Sequence, residues 1–270
     1  MAATPDPNIR IAMTIAGSDS GGGAGIQADL RTFSFHRVHG TSALTCITAQ
    51  NTQGVTRVDA LPPEAVVAQM TAVISDIGVH GVKTGMLLNS GIIAAVAEQA
   101  EQLALPNLVV DPVMVSRTGA QLIDDVAIAT LRQRLIPLAT ILTPNRYEAQ
   151  MLSGQEINTL DDMKAAAKAI QSLGPSAVLV KGGGMTGDLR GVDVLIEGDR
   201  FEVLHTQTID TVDTHGTGCT LSAAIAANLA LGRSLMESVQ VAKHYVTHAL
   251  LHSLRIGHGQ GPVGHFYSLL

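Results

Sequence analysis

The sequence predicts an α/β fold, a central and mostly parallel β-sheet flanked by helices on both faces. Two observations carry this expectation. Short β-rich apolar runs alternate with Ala/Leu-rich helical stretches, and polar or glycine-rich segments recur just after the strands. Alternation of this kind builds βα units, whose strands run parallel because each helix carries the chain back.

"IRIAMTIAG" reads as the first strand, a helix from about 26 to 38 follows, and "TSALTCITAQ" is the second strand. Helices near 63–76 and 89–102 flank the strand "GVKTGM". Next come "NLVVDPVM", a helix near 124–134, the strand "ATILTPN", a helix near 160–172 and the strand "SAVLVKGGG". The runs near 192–206 predict a hairpin around "EGDR", and two apolar helices, about 218–231 and 235–253, end the fold. No Pro/Ser-rich linker, charge block, short-period repeat or composition shift divides the 270 residues, so a single domain over 1–270 is expected.

With 46% hydrophobic residues, 15% charged residues and no Trp, the chain is long enough to bury one large core. A net charge of −6 and 17 scattered basic residues argue against a grip on nucleic acid, which needs Lys and Arg gathered on one face. The apolar runs are interrupted well before the roughly 18 positions of a membrane span, so no membrane association is expected. Two cysteines, Cys46 and Cys219, and no basic-then-apolar leader after "MAATPDPNIR" give neither a disulfide framework nor a secretion signal; the cytoplasm is the expected setting. Cys46 stands alone with no C-x-x-C spacing, which sets a zinc site aside.

In open α/β sheets ligands bind beyond the carboxyl ends of the strands. "GSDSGGGAG", "TAQN", "VVDPVM", "TPNRYE" and "VKGGG" all fall there, and the helix-opening "DTHGTGC" joins them. Segments distant in sequence are therefore expected to meet at one edge of the sheet.

"GGAGIQA" carries G-x-G-x-x-A between a strand and a helix, the pattern of a dinucleotide fingerprint. The second strand ends with Gln50 and Asn51, however, where such a site wants an acid for the ribose. A tight turn packing backbone against helix is the plainer reading, with Asp29 a simple charge near the helix start, but it leaves the preceding "SDS" unexplained.

No Walker-type phosphate loop occurs. "HGTGCTLSAA" is the better phosphate device, because the N–H groups of Gly216, Thr217, Gly218 and Cys219 would form an anion pocket reinforced by the helix dipole. That field lowers a thiol pKa and predisposes Cys219 to thiolate character; the competing reading is a small, buried apolar residue. Asn145 and Glu148, three apart in "TPNRYEA", read equally as a capping box or as a metal–phosphate pair. Lys181, at the end of an apolar strand before three glycines, is either a solvated strand end or a phosphate contact.

Taken together, "TIAGSDSGGGAGIQADLRTF", "TAQNTQGV", "KTGML", "VVDPVM", "LTPNRYEA", "VLVKGGG" and "DTHGTGCTLSAA" resemble, in order and across nearly the whole chain, the hydroxymethylpyrimidine/phosphomethylpyrimidine kinases of thiamine biosynthesis. The terminal "GHGQGPVGHF" resembles them too. G-T-G-C, where most relatives of the ribokinase-like superfamily carry G-T-G-D, marks this branch together with "AGIQADL" and "AQNT".

The resemblance implies a ribokinase-like fold, ATP with Mg²⁺, and transfer of the γ-phosphoryl to the hydroxymethyl group of 4-amino-5-hydroxymethyl-2-methylpyrimidine, then a second phosphorylation to the diphosphate. By motif position Gln50 and Asp29 would hold the aminopyrimidine, with Met86 near its ring and Gly17 bordering the pocket. A carboxamide and a carboxylate match the donor/acceptor edge of such a ring. Lys181 would meet ATP phosphate, with Asn145, Thr217, Asp111 and Glu148 close to phosphate or Mg²⁺, and the last two its metal candidates. The backbone of Gly216 and Gly218 would stabilise the transferring group, and Cys219 would take the hydroxyl proton as general base.

The resemblance also suggests a homodimer. Relatives that phosphorylate pyridoxal through a hemithioacetal carry a second cysteine after "DPVM"; this chain has Ser116 near that place, so that route is not expected. A pyridoxal kinase of the same fold is the near alternative. A non-catalytic pyrimidine-binding module would have no use for Lys181, Asn145, Glu148 and the anion turn.

Overall fold

The computed structural model describes Asp6, residues 8–115 and residues 121–270; Ser116 lies outside them. The elements run β1 (Ile11–Asp19), α1 (Gly25–Phe35), β2 (His39–Asn51), β3 (Gly54–Ala60), α2 (Pro63–Asp76), β4 (Gly81–Thr84), α3 (Ser90–Gln102), β5 (Leu108–Val110) and α4 (Asp125–Thr130). They continue with β6 (Ile141–Leu142), α5 (Arg146–Ser153), α6 (Leu160–Gln171), β7 (Ala177–Val180), β8 (Asp193–Glu197), β9 (Arg200–Leu204), α7 (Thr217–Ala230) and α8 (Leu235–Leu251).

The strands form one sheet in the order β3-β2-β1-β4-β5-β6-β7-β8-β9. β2, β1, β4, β5, β6 and β7 pair parallel with one another, while β3 at one edge pairs antiparallel with β2, and at the other β8 pairs antiparallel with β7 and β9. Successive side chains in a strand point to opposite faces, and the buried pairs divide accordingly. Met13, Val110, Leu142 and Val178 join a core with α2, α3, α5 and α6, whereas Ala12, Val109, Ile141 and Ala177 join a second core with α1, α7 and α8. Small residues fill α7, which is buried from Thr220 to Ala230.

The expected elements are present, with two differences. β3 is new: each of its residues is exposed, so it carries no core-facing alternation for a sequence reading to detect. The helix expected near 124–134 is α-helical only to Thr130. A π-turn over Leu131–Leu135 and a short turn over Ile136–Leu138 follow, the latter containing Pro137, which has no N–H to continue the ladder.

Two histidines lie inside the second core. His36 packs its ring 4.7 Å from that of Tyr245 and leaves Nε2 without a partner, and His265 Nε2 meets Thr220 Oγ1 at 2.9 Å. Burial pushes both down to about 4, with Arg233 adding to the effect at His36 and Arg31 at His265. Their folded pKa lies below the unfolded value near 6.5, so the stability they contribute is present above that pH and lost as pH falls toward 4. Each accounts for at most roughly 3 kcal/mol. Replacing His36 by Leu should flatten the pH dependence of the unfolding free energy between those limits, read by urea denaturation; an unchanged slope would show that His36 is charged in the folded protein.

Candidate active site

The loop after β1 is folded around Asp19. Its Oδ1 accepts the Gly21 N–H at 2.9 Å, and its Oδ2 accepts those of Gly23 at 3.1 Å and Ala24 at 2.8 Å. Burial raises the Asp19 pKa, but His215 and the N–H groups of Ala24 and Gly21 more than offset this and hold it below the ordinary range. His215 Nε2 lies 2.8 Å from Asp19 Oδ2, so this loop is tied to the turn that opens α7.

The two segments touch backbone to backbone. A Cβ at Gly216 would stand 1.8 Å from the Gly23 carbonyl oxygen, and one at Gly25 2.4 Å from that of Gly17. Both glycines also have positive φ, 82° and 57°, which L side chains rarely adopt. α1 and α7 consequently begin beside one another, and the Gly25 N–H donates to the Cys219 sulfur.

Cys219, half-buried in the first turn of α7, does not have the thiolate character expected of a helix N-terminus. Burial pushes its pKa up to about 11, and Asp29 and Asp111 add to the rise; Lys83 and the Gly25 N–H oppose it without prevailing. Cys46 lies within β2, fully buried, and burial raises its pKa as well.

Asp29 also departs from expectation. It is fully buried beneath the edge rather than open at it, with Oδ2 accepting from Lys83 Nζ at 2.7 Å and Thr14 Oγ1 at 2.6 Å, and Oδ1 without a partner. Lys83, on β4, is fully buried too. Burial disfavours its ammonium, but Asp29, Cys219 and Asp111 around it raise its pKa above the ordinary lysine range. Sequence reasoning passed over Lys83, although a lysine inside the apolar run "GVKTGM" was a signal, since buried lysines require a partner.

A second pair lies nearby. Lys181 Nζ donates to Asp111 Oδ1 at 3.0 Å, and Ser222 Oγ on α7 donates to Asp111 Oδ2 at 3.2 Å. Gly218 faces it: a Cβ there would be 3.5 Å from Lys181 Nζ and 3.7 Å from Asp111 Oδ2. Asn145 and Glu148 form the capping box of α5, with Asn145 Oδ1 accepting the Glu148 N–H at 3.0 Å and Glu148 Oε2 accepting the Asn145 N–H at 2.8 Å. Glu148 does more than cap. Its Oε1 accepts the Met114 N–H at 3.1 Å, and burial together with Asp111 lifts its pKa to about 7, against the pull of Lys181.

Gly17 and Met86 share one contact region, for a Cβ at Gly17 would lie 2.7 Å from Cys46 Sγ and 3.0 Å from Met86 Cε. Half-buried Gln50, the penultimate residue of β2, reaches His215, 3.4 Å away. A cleft of about 280 Å³ opens beside Lys181, Asn145, Thr217 and Gly218, walled further on by Val246 and Leu250. Lys243 and Asp193, not anticipated from sequence, set its border. Lys243 Nζ bonds Gly191 O at 2.7 Å and Asp193 Oδ2 at 2.6 Å, while Asp193 Oδ1 accepts the Gly182 N–H at 2.8 Å. A wider groove of about 540 Å³, lined by Asp213 and Arg255, shares none of these residues. Among the described residues no group of three His, Cys, Asp or Glu side chains is arranged to hold a metal, and no helix is long and apolar enough to cross a membrane.

Residues 19–264 match the family described as phosphomethylpyrimidine kinase. The chain belongs to that family. It is 62% identical over 97% of its length to a hydroxymethylpyrimidine/phosphomethylpyrimidine kinase of Synechococcus elongatus, of which it covers 99%, and 45% identical to one of Bacillus subtilis, covering 94% of each chain. Among solved structures, an ADP complex of Bacillus subtilis pyridoxal kinase superposes with a TM-score of 0.91 at 41% identity, covering 97% of this chain and 99% of that one. A phosphomethylpyrimidine kinase from Clostridium difficile superposes with a TM-score of 0.81 at 44% identity, covering 89% and 99%. The fold is the ribokinase-like α/β fold, and the protein is a kinase of this family.

Removing one member of a buried ion pair strands the other charge. Lys83→Met should therefore lower stability by about 3–5 kcal/mol, and adding Asp29→Asn should recover at least half of that loss. Urea denaturation of the two variants checks this; equal instability in both would mean that the pair is not what holds the two side chains inside.

Proposed function

We propose that the protein transfers the γ-phosphoryl group of ATP to the hydroxymethyl group of 4-amino-5-hydroxymethyl-2-methylpyrimidine and then phosphorylates the monophosphate to the diphosphate. The observation that carries this reading is the meeting of Lys181, Asp111 and the glycine-rich start of α7 at one cleft, with Gln50 joined to the same turn through His215. The names of the related kinases support the substrate.

In this reading Lys181, paired with Asp111 at rest, offers its charge to the transferred phosphoryl. The first-turn N–H groups of α7, at Gly218 and Cys219, stabilise the charge developing on it. Asn145 and Thr217 border the phosphates, and Val246 and Leu250 give the cleft an apolar wall for the base. The oxygens of Asp111 and Glu148 suit a hard cation. All four already have hydrogen-bond partners, which fits Mg²⁺ held largely by nucleotide phosphates and water. When bound, that ion supplies charge screening for the phosphates.

Cys219 takes the proton of the substrate hydroxyl. Lys83 and the Gly25 N–H stabilise the thiolate that this step requires, against burial, Asp29 and Asp111. Gln50 reads the aminopyrimidine edge, Met86 and Gly17 shape the pocket beside its ring, and Asp29 acts from beneath through Lys83. A single domain, a homodimer and a cytoplasmic setting complete the proposal, supported by family likeness and, for the last, by two free thiols.

Product analysis by phosphorus NMR tests the assignment. With Mg·ATP and an equal mixture of the hydroxymethylpyrimidine and pyridoxal, the pyrimidine should yield the monophosphate and then the diphosphate; pyridoxal phosphate as the sole product would overturn it. Cys219→Ala should keep the fold and pyrimidine binding but lose roughly 10²–10⁴-fold in turnover. Normal turnover in both steps would remove the thiol from the mechanism. Lys181→Ala should depress kcat far more than pyrimidine affinity, and equal losses would place Lys181 in the scaffold or the pyrimidine pocket.

A further inference from the structure

A carboxamide offers a donor beside an acceptor, and its neighbours decide which is which, because oxygen and nitrogen have nearly the same shape. The terminal atoms of Gln50 lie 3.2 Å from Thr48 Oγ1 and 3.4 Å from His215 Nε2. Both neighbours are already committed. The single hydroxyl proton of Thr48 goes to the Ser18 carbonyl at 2.8 Å, so toward Gln50 the threonine oxygen accepts.

His215 Nε2 meets Asp19 Oδ2 at 2.8 Å, and Asp19, an ionised carboxylate gathering three backbone N–H groups, can only accept. Nε2 therefore carries the proton. Two N–H groups do not face each other, so the Gln50 NH₂ belongs on Thr48 and its oxygen toward His215.

The scaffold holds this arrangement from several sides. The His215 N–H donates to Gly261 O at 3.1 Å, its carbonyl accepts the Val263 N–H at 3.2 Å, and its ring packs on Gly23, where a Cβ would come within 2.3 Å of Cδ2. Ser20 Oγ accepts the Gln50 N–H and donates to the Gln50 carbonyl, each at 2.8 Å. The "SDS" segment, which a tight turn leaves unexplained, thus converges on Gln50: Ser18 through Thr48, Asp19 through His215, and Ser20 on the main chain.

We propose that Asp19 and His215 are positioning residues that lock the polarity of the Gln50 carboxamide and thereby select 4-aminopyrimidines over 4-oxopyrimidines. The inference rests on the reading of Gln50 as the pyrimidine contact. A 4-aminopyrimidine presents an N–H donor next to a ring-nitrogen acceptor, and the N3–H form of a 4-oxopyrimidine reverses both. A locked amide pairs with the first and sets donor against donor on the second, whereas an amide free to turn over accepts either.

The test compares the amino substrate with 5-hydroxymethyl-2-methylpyrimidin-4-one, as the ratio of kcat/KM values or, if the oxo analogue does not turn over, of dissociation constants. His215→Phe keeps an aromatic ring against Gly23 and removes the N–H. It should lower the amino-to-oxo ratio about tenfold, chiefly by admitting the oxo compound, and should add nothing to the loss already caused by Gln50→Leu. If the phenylalanine variant does not fold, His215→Leu takes its place with the same expectation. An unchanged ratio at position 215 when Gln50→Leu has collapsed it, or a further loss in the double variant, overturns the lock. An unchanged ratio and affinity in folded Gln50→Leu instead overturns the underlying role of Gln50.

Discussion

Backbone contact between the loop after β1 and the turn before α7 sets the geometry of the whole sheet edge. The Gly23 carbonyl occupies the space that a side chain at Gly216 would need, and the Gly17 carbonyl the space of one at Gly25. Because those side chains are absent, two helices start beside one another, with the Gly25 N–H of one donating to the Cys219 sulfur of the other. Asp19 closes the junction by gathering three N–H groups of one loop and the imidazole of the other. The first turn of α7 with its thiol and, through His215, the Gln50 carboxamide are drawn to one junction as a consequence.

The charges around that junction are arranged in pairs. Burying a lysine with an aspartate costs desolvation that their attraction offsets only in part, so Lys83–Asp29 and Lys181–Asp111 are weak evidence of stabilisation. They are better understood as fixed positions for charge. Lys83 and Asp29 act on the Cys219 thiol from the buried side and Asp111 from the cleft side, Lys83 favouring the thiolate and the two carboxylates the neutral thiol. Burial of the sulfur itself is the largest influence, and burial favours the neutral thiol. Two helix N-termini are not sufficient to make a thiolate when the group is withdrawn from water.

Sequence pattern disclosed most of this fold because strands buried on both faces and helices with one apolar side leave strong periodic signals. α2 lies over residues 63–76 as expected, and the hairpin of β8 and β9 turns at "EGDR". β3 left no such signal, since no residue on it is buried. At the site, the glycine-rich start of α7, the place of Lys181 just after β7 and the Asn145–Glu148 cap were legible because each is a local pattern: a glycine-rich helix start, a strand end, a three-residue spacing. Lys83 with Asp29, and His215 with Asp19, were not, because each pair joins residues 54 or 196 positions apart and only the fold brings them together. The raised thiol pKa escapes a sequence reading for a related reason. The helix dipole can be read from sequence, whereas the depth of burial and two distant carboxylates cannot.

The balance at Cys219 can be measured directly. In a Cys46→Ala background Cys219 is the single thiol of the chain, and its ionisation can be followed through the pH dependence of alkylation in the ligand-free protein. Burial reinforced by Asp29 and Asp111 predicts a midpoint near 11, with the rate still climbing well above pH 9. A midpoint at or below the ordinary cysteine value of about 8.5 would show that the helix N-termini and Lys83 dominate, and would contradict the account.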